Sequence, residues 1–195
     1  GLGIAHSEES VLEEGASLHG VQLWIALPDA YRQVNPNFAH HAALPHHERE
    51  GLTMTVFVGE FLNTKAPGKV YSPLLGLEIK AAKDTESRLF LKPTFEHGLL
   101  VLKGEASVEG VSIKPGTLMY LGTGRETLKL EAKKGTQMIL IGGEPFEEEV
   151  LVWWNFVART KEEIEEAVLQ WQNHQHFDRV EDYQGERLTA PPLPW

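Results

Sequence analysis

Between residues 18 and 145 the chain is a succession of short β-forming runs closed off by glycine and proline, and this spacing limits the fold more than any other feature. The runs are Gln22–Leu27, Thr53–Phe57, Leu74–Lys80, Arg88–Leu91, Leu99–Lys103, Ala106–Val108, Leu118–Leu121, Leu128–Leu130 and Gln137–Ile141. Many short strands with regular turn signals predict a sandwich or a barrel. Glu109-Gly110 has the chemistry of a two-residue hairpin turn between Ala106–Val108 and Val111-Ser112-Ile113, and Lys114-Pro115-Gly116 breaks the strand after it. Together these turns predict a β-meander. Gly122-Thr123-Gly124-Arg125-Glu126 lacks the lysine and following helix of a phosphate loop, so it reads as a further hairpin turn.

A chain of 195 residues suits one full domain and part of another. Pro28 to Gly51 holds three prolines and no sustained alternation, so residues 29–50 read as a linker between first strands in residues 1–28 and a domain in residues 51–195. One helix is predicted, over Lys161 to Gln172. Thr160 and Glu163 form a capping box there, and Ile164, Ala167, Val168 and Trp171 share a face. The tail Ala190-Pro191-Pro192-Leu193-Pro194-Trp195 cannot continue that helix and is expected to be extended.

Composition removes several functions. The net charge is −10 and Lys133-Lys134 is the only adjacent basic pair, which argues against direct nucleic-acid binding. With no cysteine, disulfides, thiolate metal sites and cysteine nucleophiles are excluded, and any metal must use His and carboxylate. The longest apolar runs, such as Gln137–Ile141, are far short of the ~20 residues that cross a bilayer, so a membrane is not an expected partner and a cytoplasmic location is. The start, Gly1-Leu2-Gly3-Ile4, reads as the middle of a longer polypeptide.

His6 and Glu8 are the leading metal candidates: in an extended segment they share a face, and imidazole with carboxylate is a ligand set for non-haem iron and related metals. Alone, an H-x-E triplet is more often a solvated strand end. His40-His41 and His46-His47 offer a second candidate, against which stands a polar linker. His97 stands where a ligand might be sought, with no second His at H-x-H spacing, so no metal is expected in the second domain. Trp153, Trp154, Phe156 and Trp171 read as core before they read as a stacking box, and Ser7 has no G-x-S-x-G context for a hydrolase.

Three segments in order resemble the pirin family: Gly1-Leu2-Gly3-Ile4-Ala5-His6-Ser7-Glu8, Leu18-His19-Gly20-Val21-Gln22-Leu23-Trp24-Ile25-Ala26-Leu27-Pro28, and Trp153-Trp154-Asn155-Phe156-Val157. Gly142-Gly143-Glu144-Pro145 and Ala190-Pro191-x-Leu193-Pro194 extend the likeness. The resemblance implies a mostly β fold: a cupin-type barrel forming the C-terminal half of a bicupin, with one C-terminal helix. Residues 1–28 would be the last strands of the N-terminal cupin domain. It implies an iron (Fe2+) or other divalent metal held by three His and one Glu, of which His6 and Glu8 carry over, Glu8 also as proton acceptor. The other two ligands belong to an H-x-H strand upstream of Gly1, so this chain is expected to hold metal weakly or not at all. The implied activity is that of a quercetin 2,3-dioxygenase acting on a small aromatic substrate such as a flavonol. The alternatives are a non-enzymatic protein-binding transcription cofactor and an inactive fragment. Unpaired first strands, with Leu23, Ile25 and Leu27 on one face, would favour self-association.

Overall fold

The computed structural model describes residues 1–9 and 15–195, which fall into two compact units, residues 39–145 and residues 1–38 with 146–195.

The first of these units is all β. Its strands are β1 (His46–Arg49), β2 (Leu52–Phe61), β3 (Thr64–Lys65), β4 (Leu74–Ala81), β5 (Thr85–Phe90), β6 (Glu96–Lys103), β7 (Ala106–Val108), β8 (Val111–Ile113), β9 (Leu118–Gly122), β10 (Thr127–Ala132) and β11 (Gln137–Gly143). One sheet runs β1-β2-β4-β11-β6-β9 with β3 also on β2, and the other runs β5-β10-β7-β8. Alternation drives the packing: Leu52, Met54 and Val56 of β2, Leu99 and Val101 of β6, and Met138 and Leu140 of β11 turn inward. They meet Leu89, Val108, Ile113, Leu128 and Leu130 from the second sheet in a single apolar core, giving a filled cupin-type barrel. The register of β2 against β4 shifts between Val56 and Val58, and there Gly59 has φ 73°. A Cβ on it would stand 1.8 Å from the Leu74 carbonyl oxygen, so only glycine lets the bulged strand approach.

Several sequence expectations change here. His46–Arg49, read as linker, is a strand paired with Leu52–Thr55, closed by Glu50-Gly51 with both residues at positive φ. That is the same two-residue turn as Glu109-Gly110 between β7 and β8. Gly122–Glu126 is not a hairpin turn: β9 pairs with β6 and β10 with β5 and β7, so the segment carries the chain from one sheet to the other. The expected meander is therefore reduced to the β7–β8 hairpin. No helix among the described residues is long and apolar enough to cross a membrane.

The other unit contains a 3-10 turn (Asp29–Tyr31), β12 (Leu151–Trp153), β13 (Phe156–Ala158) and α1 (Lys161–Gln172). The Thr160 hydroxyl accepts the Glu163 N–H at 3.2 Å, as the capping box predicts. Glu163 reaches back past the cap, and its Oε2 accepts the Arg159 N–H at 2.7 Å. Ile164 and Val168 are buried against Phe156, Ala158 and Ala190, with Trp153, Trp154, Trp171 and Phe177 packed around them. The aromatic residues are core. The tail, which forms neither helix nor strand, is tied down through Trp171 Nε1, which donates to the Leu188 carbonyl at 2.7 Å, and Trp195 Nε1, which donates to Glu165 at 3.0 Å. Gln22–Leu27, expected as a strand, is without strand pairing, because no other described strand lies alongside it.

Candidate functional site

The segment bearing His6 and Glu8 is fixed at its start. The Leu2 N–H donates to the Val34 carbonyl at 2.8 Å, and Gly3, at φ 86°, is so close to Phe177 that a Cβ would sit 2.8 Å from its ring. Exposure then alternates: Ala5 and Ser7 are half-buried, His6 and Glu8 exposed. The Gln22 side-chain amide donates to Glu8 Oε1 at 3.1 Å, bringing the two N-terminal segments together.

Just beyond Gln22 the chain is clamped to the start of α1. Arg159 donates through Nη2 to the Leu27 carbonyl at 2.7 Å and through Nε to Asp29 at 2.9 Å. Arg32 pairs with Glu163 at 2.7 Å. The Arg32 guanidinium, followed by the Arg159 N–H, holds the Glu163 carboxyl below its ordinary pKa. Two arginines and two carboxylates thus anchor the segment that presents Gln22 to Glu8. Neither the clamp nor the Gln22 contact is foreseen in the sequence, because each joins residues far apart in the chain.

As a metal centre the described residues are incomplete. No three of their His, Asp or Glu side chains come together to hold an ion, so His6 and Glu8 supply two donors with no third beside them. The donor chemistry suits a divalent metal, but the donor count does not. His40, His41 and His46 are exposed and form no cluster. His47 is half-buried and edge-on to Phe61, its ring centroid 5.9 Å from the phenyl ring. His97 lies in the barrel interior, also outside any metal cluster among the described residues.

Residues 76–178, more than half of the chain, match the sequence profile of the pirin C-terminal cupin domain. The chain belongs to the pirin family. A Pseudomonas aeruginosa protein assigned provisionally as a quercetin 2,3-dioxygenase is 42% identical to this pirin across 100% of its residues, corresponding to 62% of the relative. Human pirin is 28% identical, over 95% of this chain and 66% of its own. The crystal structure of a quercetin 2,3-dioxygenase from Acinetobacter baumannii superposes with a TM-score of 0.84 at 47% identity, covering 88% of this chain and 57% of that one. The present pirin chain therefore spans about three fifths of the length of relatives such as the Pseudomonas protein.

Proposed function

We propose that this pirin chain is the C-terminal portion of a metal-dependent dioxygenase acting on a small aromatic substrate of the flavonol type. The observation that carries the proposal is the Glu8 carboxylate held by Gln22 two residues after His6, in a chain whose close relatives bear the quercetin dioxygenase name. In this reading residues 1–28 are the closing strands of an N-terminal cupin barrel, and His6 and Glu8 are two of its metal ligands. Iron or another divalent ion would bind substrate and oxygen there, with donors that lie outside the described cluster completing the set. The residues between Pro28 and β1 lead from these strands into the second barrel. The 195-residue chain by itself should then bind iron weakly, since two ligands leave most coordination positions to water.

Elemental analysis of dialysed protein beside an oxygen-uptake assay with quercetin tests this. The expected result is little iron and little uptake in the 195-residue chain, with both restored when upstream strands bearing an H-x-H motif are added. An extended protein that still lacks metal and turnover would defeat the enzyme reading, and stoichiometric iron in the short chain would defeat the assignment of ligands.

A protein-contact reading is favoured by one observation: Leu23, Trp24 and Ile25 are 40%, 49% and 49% exposed on a segment with no strand partner. Extended apolar backbone of this kind tends to be covered by pairing. Self-association of the short chain at micromolar concentration is expected in sedimentation. A strictly monomeric species would count against it.

A further inference from the structure

His97 is a titratable group that plays no part in the proposed metal site, and its surroundings are unusual. It is 2% exposed, and neither ring nitrogen has a hydrogen bond of good geometry among the described residues, the Phe95 backbone being only a marginal partner. Alternation along β6 puts it on the inner side with Leu99 and Val101. Its ladder neighbours are both glycines, Gly142 on β11 and Gly122 on β9. On the β11 side the ring is pressed against backbone, since a Cβ at Gly142 would lie 2.6 Å from His97 Cδ2. On the β9 side the neighbour carries no side chain, and a Cβ at Gly122, where φ is 66°, would meet nothing within 4 Å. The β6–β9 register also slips between His97 and Gly98.

Among the described residues no ion pair or hydrogen bond brings a counter-charge to the His97 ring. Glu96 and Tyr120 bond to one another at 2.7 Å, at positions that alternate with the inward-facing residues of β6 and β9. Lys92 sits over the Phe95 ring at 4.5 Å and pairs with Glu144 at 3.6 Å. The β11 strand, Gln137–Gly143, carries no ionisable side chain, and the opposite sheet turns Leu89, Leu128 and Leu130 to the core. Burial therefore pushes the His97 pKa down, offset only in part by the Phe95 backbone.

We infer that His97 is an acid-operated catch on the edge strand β9: the neutral imidazole lets β9 close on β6, and protonation favours an open state in which the Leu121–Gly122 end lifts away and the imidazolium reaches water. The locus is β9 because, among the described strands, it is paired on one side by β6 alone, whereas β4 and β11 are each held on both sides. Local opening of such an edge requires far less than unfolding of the barrel. The closed-state pKa of His97 lies below the open-state value of about 6.5. Closure is thus fully favoured above about pH 6.5 and weakens as the pH falls from there towards the closed-state value, where the open state holds the extra proton. One proton raises the opening constant by up to about tenfold per pH unit in that window.

Amide hydrogen exchange on the 195-residue chain, corrected for the intrinsic pH dependence of exchange, is the test. Between about pH 7.5 and about pH 5, protection along β9 should fall by up to about tenfold per pH unit below about 6.5, while the β4–β11 ladder stays protected. His97→Leu and His97→Gln should each remove that dependence, the second serving if the first does not fold. Flat protection in the native chain, an unchanged slope in either variant, or loss of β4–β11 protection together with β9 would overturn the inference. If neither variant folds, imidazole NMR of the native chain decides: a ring that charges near pH 6.5 while β9 stays protected overturns it, and one neutral well below that with β9 loosening upholds it.

Discussion

The side-chain amide of Gln22 donates to the carboxylate of Glu8 at 3.1 Å, so two segments 14 residues apart meet at the residue on which the proposed metal chemistry depends. Hydrogen bonds to a ligating carboxylate fix its rotamer, and losing one typically costs ~10–100-fold in metal affinity. In protein extended to include the upstream ligands, Gln22→Leu should weaken iron binding by a factor in that range, measured by chelator competition. Equal affinity in the two proteins would remove Gln22 from the site.

The helix α1 depends on its cap. Thr160→Ala removes the acceptor for the Glu163 N–H and should destabilise the unit formed by the chain ends by ~1 kcal/mol, read from a urea midpoint. An unchanged midpoint would mean that tail packing, rather than the cap, sets the end of the helix.

How much of this was legible follows from which interactions are local. The runs Thr53–Phe57, Leu99–Lys103 and Leu128–Leu130, and the Thr160 and Glu163 pair, lie within single stretches of sequence, and they fall inside β2, β6, β10 and the capped helix. The β1–β2 hairpin is hidden in the sequence although Glu50-Gly51 repeats the Glu109-Gly110 signal, because His46–Arg49 is polar and only a half-buried His47 faces inward. The β12–β13 hairpin turns at Trp154, whose φ is 50°, a conformation that no residue-type rule expects of tryptophan and that the packed aromatic neighbours hold in place. His6 and Glu8 are legible as an H-x-E pair to which family likeness adds weight, and the Arg159 clamp joins residues about 130 apart in sequence, beyond any periodicity.

Arg159 is the centre of that clamp, with its side chain 12% exposed. Arg159→Ala leaves the Leu27 carbonyl and Asp29 without their charged donor and should cost about 2 kcal/mol in chemical denaturation. Arg159→Lys should recover only part of this, since one ammonium cannot reproduce the planar fork that reaches both acceptors. Faster proteolytic cutting near residues 27–32 would accompany both losses.

Acid should loosen the same region through Glu163. Its carboxyl is held below the ordinary range by Arg32 first and the Arg159 N–H second, so its stabilising effect is complete above an unfolded value of about 4.3 and is lost as pH falls through the lower folded value. Glu163→Gln should flatten the acid limb of a stability profile measured by circular dichroism. A limb of the same steepness would assign it to other carboxylates.

Gly59 should tolerate no side chain. Gly59→Ala places a methyl group onto the Leu74 carbonyl at a positive φ, and the loss should exceed the ~1 kcal/mol of an ordinary glycine replacement, because neither backbone strand can withdraw. A thermal midpoint within a degree or two of the native chain would show that the bulge can be remodelled.

The division of the chain into a continuous stretch, residues 39–145, and a unit assembled from both of its ends bears on the order of events during synthesis. The barrel can close as soon as its own residues leave the ribosome. Leu27, Asp29 and Arg32 must wait for Arg159 and Glu163, so this segment stays without its clamp until about 130 further residues have been made. During that interval Leu23, Trp24 and Ile25 lack the anchor that follows them, and their apolar side chains are held by no clamp until Arg159 emerges.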